Sequence, residues 1–182
     1  VKWPDIQYHF LPAAMRYDGR AAFSGHGFQV HVGPNKPKSR GRLWITGPDP
    51  ATKPKMLFNY LEHEDDRAAF RTCIRLTREI MVQPAMDPFY AGEIQPGEDV
   101  ISDDAIDAWI RANAESAYHP SCTCRMGLDP ETSVIDPDGR AHRMPGLAIA
   151  DASVFPTSLG VNPQLTTMAV ATNIGHRLLG SA

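Results

Sequence analysis

The hydrophobic period of this chain changes near residue 62, and that change limits the folds it can adopt. Before it, apolar side chains alternate with polar ones in four short segments, 5–11, 28–32, 42–46 and 56–60. Such alternation is typical of strands with one buried face. Glycine and proline separate the segments, most densely between Gly33 and Gly41. We therefore predict four strands, which favour an antiparallel sheet.

Helical spacing dominates the rest of the chain. From Glu62 apolar residues recur at this spacing, and acidic residues occupy the first turn, where the helix dipole favours them. Ser102 is a favoured N-cap for a second helix. A third is expected to begin at Asn162 and Pro163, with asparagine as its N-cap and proline as its first residue. Its predicted inward face consists of Leu165, Met168, Ala169, Thr172 and Leu179. The fold class is thus α+β, an antiparallel sheet covered by helices.

Composition excludes several classes of protein. The hydrophobic content of 42% is sufficient for a packed core, and the net charge of -3 argues against nucleic-acid binding. No apolar run is long enough to span a bilayer, and the first residues have no secretory layout. Because the chain does not start with methionine, we expect that it begins inside a longer protein.

Three cysteines cannot all pair, and Cys122 and Cys124 are too close in sequence to bridge easily. They favour a reducing compartment, so we predict a cytoplasmic location and leave peripheral membrane association open. The same two cysteines with His119 or His142 do not match the four-ligand spacing of structural zinc. We therefore predict no metal site.

Two polar residues could carry chemistry. His119 precedes a proline and therefore lies in a loop, where an imidazole could take the hydroxyl proton of an alcohol while hydride leaves the carbon. A surface or structural histidine is the alternative. Asn162 could serve only as a cap, or the helix start could face an anion such as the reduced ring of a flavin. A short strand at 147–150, ending at Asp151, could place backbone amides beside a cofactor, or end in a surface turn.

Longer motifs resemble a known family. The segments HPSCTCRMG at 119–127, GLAIADASVFPT at 146–157 and GVNP at 160–163 resemble the carboxyl-terminal signature of the glucose-methanol-choline oxidoreductases. Upstream segments resemble the choline-oxidising branch of that family: PDIQYHFLPAAMRYDG, GHGFQVHVGP, KSRGRLWI, FNYLEHEDDRAAFRTCIRLTREI and YAGEIQPG. The resemblance covers nearly the whole chain.

This resemblance implies an FAD-dependent enzyme that oxidises an alcohol, most closely choline to betaine aldehyde. It implies that His119 and Asn162 are the catalytic pair and that Tyr118 lies near the substrate headgroup. An aromatic face suits a quaternary ammonium, although a packing role for this tyrosine is an alternative. The FAD would lie along Asp151 and Ala152 and over the helix start formed by Asn162, Pro163, Gln164 and Leu165.

The chain also departs from the family pattern. The amino-terminal strand, G-x-G-x-x-G turn and helix that bind the nucleotide are missing, and Gly25 and Gly27 do not replace them. The segment at 158–166 looks more like that of choline and sterol oxidases, which leaves the alcohol and the electron acceptor open. The expected partner is therefore the missing FAD-binding part or chain.

By the same resemblance we expect a substrate-binding domain at 1–116, and at 117–182 the active-site loop with the carboxyl-terminal part of an FAD-binding domain. Two alternatives stay open. One is a non-catalytic fragment or subunit that binds substrate or a partner chain. The other is a family member that oxidises an aromatic, sugar or sterol alcohol.

Overall fold

The computed structural model describes residues 2–15 and 24–180 and shows an α+β chain, as predicted. The four strands are β1 (Ile6–Leu11), β2 (Gln29–Pro34), β3 (Arg42–Trp44) and β4 (Lys55–Leu57). The helices are α1 (Glu64–Met81), α2 (Asp103–Asn113) and α3 (Gln164–Leu178), with short 3-10 turns at Pro84–Met86 and Ala152–Val154. None of the described helices is both long enough and apolar enough to cross a lipid bilayer.

The strands are antiparallel but do not join into one sheet in the described part of the chain. β1 pairs with β2 in a register that places Tyr8 opposite Val32, and β3 pairs with β4. The proline- and glycine-rich segment between β2 and β3 explains the separation. There the backbone amides of Lys38 and Ser39 both donate to the carboxylate of Asp66, at 2.7 Å, rather than to a neighbouring strand.

The chain divides into two compact units. The first comprises Val1–Ser39 and Leu61–Ala114, and the second comprises Arg40–Tyr60 and Glu115–Ala182. The assignment of residues 1–116 to substrate binding, and of 117–182 to the active-site loop and the flavin domain, stays a prediction.

In the first unit α1 packs against β2 and α2. The core consists of Leu61, Ile106 and Ile110, with Phe70, Ile74, Val100, Trp109 and Ala114 packed around it. Arg71 extends from α1 to Asp107 of α2 at 2.9 Å. Ser102 caps α2 as predicted, because its hydroxyl accepts from the amide of Ala105 at 3.2 Å. Burial raises the pKa of the Cys73 thiol to about 11, so this cysteine is a core residue and not a nucleophile.

In the second unit the core consists of Ile135, Val154 and Phe155. The predicted strand at 147–150 is wrong, since only Ala148 forms a bridge, to Arg140. The chain there follows a turn closed by Leu147 N and Met144 O, at 3.1 Å, and too few residues remain extended for a strand.

Two predictions about α3 are also wrong. Asn162 is not its N-cap. Pro163 occupies that position and makes no side-chain capping hydrogen bond. Pro163 itself has a helical backbone, with φ of -79° and ψ of -12°, and its carbonyl accepts the first helical hydrogen bond, from the amide of Thr167. The predicted inward face is also exposed, while Ile174 is buried and Val170 packs against the core. The predicted end is confirmed at Leu178, followed by Gly180 with a φ of 72°.

Candidate active site

The loop that carries His119 has an unusual backbone. Tyr118 and Cys122, on either side of it, both have left-handed conformations, with φ of 61° and 71°. Such values are strained for residues with a side chain, and strain of this kind concentrates at functional sites. The side chains of Tyr118 and His119 are exposed, and Tyr118 retains 70% of its accessible surface.

Backbone hydrogen bonds fix this loop to the segment that follows Asp151. The amides of Cys122, Cys124 and Met126 donate to the carbonyls of Ala152, Ser153 and Val154, at 3.3, 2.9 and 2.8 Å. The carboxylate of Asp151 caps the 3-10 turn by accepting from the amide of Ser153 at 2.8 Å. The second predicted segment is therefore the support of the first.

A hydrophobic cluster attaches the third segment to the other two. We call it the site core, and define it as Ile135, Val154 and Phe155 with the partly buried residues around them: Cys122, Met126, Ala141, Ile149, Ala152, Leu159 and Val170. Cys122 and Met126 belong to the His119 loop, Ala152 to the Asp151 segment and Val170 to α3. The structure thus brings all three predicted segments to one core.

The start of α3 is open to its surroundings. Its first turn is closed by Thr167, whose amide and hydroxyl both donate to the carbonyl of Pro163 at 2.8 Å. The amides of the preceding turn have no acceptor within a helix, and the helix dipole adds partial positive charge there. The side chains of Asn162, Gln164 and Leu165 are exposed, Leu165 by 78%.

The turn at 136–139 holds the other end of α3. Asp136 accepts from the amides of Asp138 and Arg140 through one carboxylate oxygen, at 2.8 and 2.9 Å. Asp138 in turn accepts from the guanidinium of Arg177 at 2.6 Å. These contacts fix the orientation of the helix on the site core.

The side chain of His142 forms hydrogen bonds within the second unit. Its Nε2 lies 3.1 Å from the carbonyl oxygen of Gly127 and 3.0 Å from the hydroxyl of Ser133. Because a carbonyl oxygen only accepts, Nε2 must carry the proton. Across residues 2–15 and 24–180 no group of three or more histidine, cysteine, aspartate or glutamate side chains is arranged to hold a metal ion.

Sequence reasoning missed how these segments are held. The carbonyls of Ser153 and Val154 and the left-handed backbone of Cys122 belong to the support of the site. Backbone acceptors leave no side-chain signal, and a left-handed cysteine is rare enough that no pattern predicts it.

Comparison with known proteins identifies the class. The family model described as GMC oxidoreductase matches residues 37–171, so the chain belongs to the GMC oxidoreductase family. Members of this family are flavoproteins.

Two relatives have the name oxygen-dependent choline dehydrogenase. The protein of Photobacterium profundum is 58% identical over the whole chain, and that of Vibrio vulnificus is 57% identical over 98% of it. The chain spans 32% of the length of each, about a third.

Solved structures share the fold. The crystal structure of pyridoxine 4-oxidase from Mesorbium loti superposes with a TM-score of 0.87 at 26% identity, over 96% of this chain and 34% of that one. A formate oxidase of Aspergillus oryzae gives a TM-score of 0.87 at 22% identity, over 98% of this chain and 33% of that one.

Proposed function

We propose that this chain is the carboxyl-terminal third of an FAD-dependent enzyme that oxidises choline to betaine aldehyde. The observation that carries the proposal is the shared support of the His119 loop, the Asp151 segment and α3 on one site core. The identity of 58% to a protein named for choline dehydrogenation supports the choice of substrate.

The residues at the start of α3 fit a flavin. Backbone amides in the first turn of a helix offer hydrogen bonds to acceptor atoms that gain negative charge, and the dipole of the helix has the matching sign. Exposed Val161 and Leu165 offer apolar contact to a planar ring. Pro163 and Gln164 complete this surface, and Asp151 and Ala152 would hold a more distant part of the FAD. When bound, the flavin supplies the acceptor for the hydride.

His119 has the task of a base in this proposal. A neutral imidazole can take the hydroxyl proton of the substrate as hydride leaves the carbinol carbon, and histidine is the side chain best suited to that exchange near neutral pH. The carboxamide of Asn162 donates to the same oxygen and sets its direction. The strained backbone of Tyr118 and Cys122 supports a loop selected for position rather than for stability.

Tyr118 is proposed to contact the trimethylammonium group. Its side chain retains 70% of its accessible surface. Contact between a quaternary ammonium and an aromatic face is a recognised mode of choline binding.

The test uses the full-length protein that carries this chain. His119→Ala is expected to reduce kcat for choline by roughly 10²- to 10⁴-fold, because a positioned base contributes about that much. His26→Ala, at another exposed loop histidine, is the matched control and should retain the activity. Bound FAD and Tm, measured on both variants, show that the fold survives. Near-normal turnover of the His119 variant would reject the assignment.

A second candidate keeps the chemistry and changes the alcohol. The fold shared with pyridoxine 4-oxidase favours an aromatic substrate, although that identity is only 26%. Steady-state kcat/KM for choline and for pyridoxine, measured on the same full-length preparation, decides between them.

We further propose a cytoplasmic location, which the three free cysteines support.

A further inference from the structure

The hydroxyl of Ser116 binds the backbone just before His119. Its Oγ accepts a hydrogen bond from the amide of Tyr118 at 3.0 Å. Serine hydroxyls close turns in this way, by binding the amide two residues further along the chain. Ser116 is half-buried, whereas Tyr118 and His119 are exposed. The bond therefore joins a half-buried side chain to the backbone of an exposed loop.

This bond lies at a backbone conformation that needs support. Tyr118 has a φ of 61°, in the left-handed region that residues with a side chain rarely adopt. Such strain persists only where the surrounding contacts hold it in place. Because the Tyr118 side chain retains 70% of its accessible surface, packing holds only a small part of it. A hydrogen bond to its amide is a contact of the kind that the strained backbone requires.

The backbone of Tyr118 decides where the imidazole of His119 lies. Each residue has only two soft backbone rotations, so those of Tyr118 orient the peptide that leads into His119. Pro120 then restricts His119 to extended conformations. At the other end of the loop the amide of Cys122 donates to the carbonyl of Ala152 at 3.3 Å. The position of the imidazole thus depends on how firmly the Tyr118 backbone is held.

We infer that Ser116 is a positioning residue for His119, and that its hydroxyl acts by holding the left-handed backbone of Tyr118. The inference rests on the proposed function, because it concerns the same base. It deepens that proposal by naming a side chain outside the motif at 119–127 that keeps the base in place. The competing role for Ser116 is purely structural, in which its turn contributes to stability alone.

The test begins with two variants of the full-length protein. Ser116→Ala should lower kcat for choline roughly 10- to 10²-fold, because a displacement of about 1 Å at a reacting group can cost about that much. Ser116→Thr keeps a hydroxyl that can close the same turn, so it should retain most of the turnover. A loss as large with threonine as with alanine would overturn the inference.

Ser102→Ala is the matched control. The Ser102 hydroxyl accepts from the amide of Ala105 at 3.2 Å, at the start of α2 in the first unit. Each alanine variant therefore loses one hydrogen bond between a serine hydroxyl and a backbone amide, and we expect similar falls in Tm. Only Ser116→Ala should lose turnover, with bound FAD unchanged in both. An equal loss of turnover in the two variants would make Ser116 a structural residue.

A double-mutant cycle shows whether Ser116 acts through the imidazole. In a His119→Ala background there is no base to position, so adding Ser116→Ala should leave the residual kcat nearly unchanged. The same fold-loss in both backgrounds would contradict the inference. Normal turnover of His119→Ala alone would reject the proposed function. A large loss for His119→Ala together with normal turnover of Ser116→Ala would reject only the role of Ser116.

Hydrogen exchange gives a readout that does not depend on activity. The amide of Tyr118 should exchange faster in Ser116→Ala than in the unmodified protein, because its acceptor is gone. Mass spectrometry of the peptide that contains residues 116–119 measures this rate. Ser116→Thr should restore slow exchange and Ser102→Ala should not alter it. An exchange rate that is the same in Ser116→Ala and the unmodified protein would show that the hydroxyl does not hold this backbone.

Discussion

At the level of single residues, two glycines with similar backbones allow the cost of backbone strain to be measured apart from the cost of overpacking. Gly139 and Gly146 have nearly the same left-handed backbone, with φ of 85° and 84°. A Cβ at Gly139 would lie 2.5 Å from Cγ2 of the buried Ile174, whereas one at Gly146 would meet no atom within 4 Å. Gly146→Ala should cost about 1–2 kcal/mol from strain, and Gly139→Ala about 1–3 kcal/mol more from overpacking.

Urea unfolding of both variants checks this prediction. The difference between their losses measures how tightly the 136–139 turn packs against α3. Equal losses would show that the turn and the helix are not in contact in solution.

Local chemistry made some residues predictable and others not. Ser102 was correctly predicted as a cap because serine is a favoured N-cap and the two aspartates that follow it are favoured in the first turn of a helix. Asn162 was wrong as a cap because the first helical hydrogen bond is accepted by the carbonyl of Pro163, one residue later than the Asn-Pro pattern indicates. The left-handed conformation of Cys122 accompanies a hydrogen bond to the carbonyl of Ala152, which is distant in sequence, and no local propensity contains that contact.

At the level of elements, Asp66 anchors the breaker-rich segment to the first turn of α1. The side chain is buried at 4% exposure and accepts the amides of Lys38 and Ser39. Asp66→Ala should destabilise the protein by about 2–4 kcal/mol at pH 7, because it removes hydrogen bonds to a charged group and leaves two donors without an acceptor. The neighbouring Asp65 pairs with Lys38 at the exposed surface. Asp65→Ala is the control and should cost much less.

This anchor also has a pH dependence with a definite sign. Burial by itself raises the pKa of Asp66, but hydrogen bonds from the Lys38 amide and from the Ser39 hydroxyl and amide outweigh it, so the pKa falls below its usual 3.8. A depressed pKa contributes stability that is present above pH 3.8 and lost as the pH falls through the lower folded value. Chemical unfolding should therefore show the penalty of Asp66→Ala shrinking as the pH is lowered from neutral through and below 3.8. A penalty independent of pH would contradict the role of the charge.

The hydrophobic period predicted where the helices and strands lie in the sequence better than it predicted which face of each is buried. Strands β1 and β2 and helices α1 and α2 follow from clear periods of two and of about 3.6 residues. Helix α3 is apolar on two faces, so its period could not decide which one turns inward, and the wrong row was predicted. The four predicted strands are antiparallel, but in the described residues they form two pairs rather than one sheet. The period of each strand does not contain its partner, and the amides of Lys38 and Ser39 between the two pairs bind Asp66.

At the level of the whole molecule, each compact unit is made of two segments that are not consecutive in sequence. The hairpin segment Arg40–Tyr60 groups with Glu115–Ala182 rather than with its neighbours in sequence. Sequence motifs predicted the three segments of the candidate site, because His119, Asp151 and Asn162 each lie in a motif that resembles the family signature. They could not predict the site core, because the hydrophobic contacts that define it join residues far apart in sequence.

The hairpin of β3 and β4 leads to a last prediction. Its strands expose Leu43, Trp44, Met56 and Leu57, and Ile45 just beyond β3 is 81% exposed. A two-stranded hairpin is marginal by itself, and apolar patches of this kind promote association. We expect the isolated 182-residue chain to enhance the fluorescence of 8-anilinonaphthalene-1-sulfonate and to self-associate as its concentration rises. The full-length protein, which would cover this surface, should do neither.

A paired substitution assigns the effect to the hairpin. Ile45→Lys with Met56→Lys should lower both the dye signal and the association of the isolated chain, because charges on strand surfaces oppose edge-to-edge contact. Lysine at the exposed positions Thr52 and Gln83, outside the strands, adds the same charge and should change neither readout. An isolated chain that stays monomeric and does not enhance the fluorescence of the dye would contradict this prediction. That result would mean that the exposed apolar side chains of β3 and β4 pack against one another in solution and that the hairpin needs no covering polypeptide.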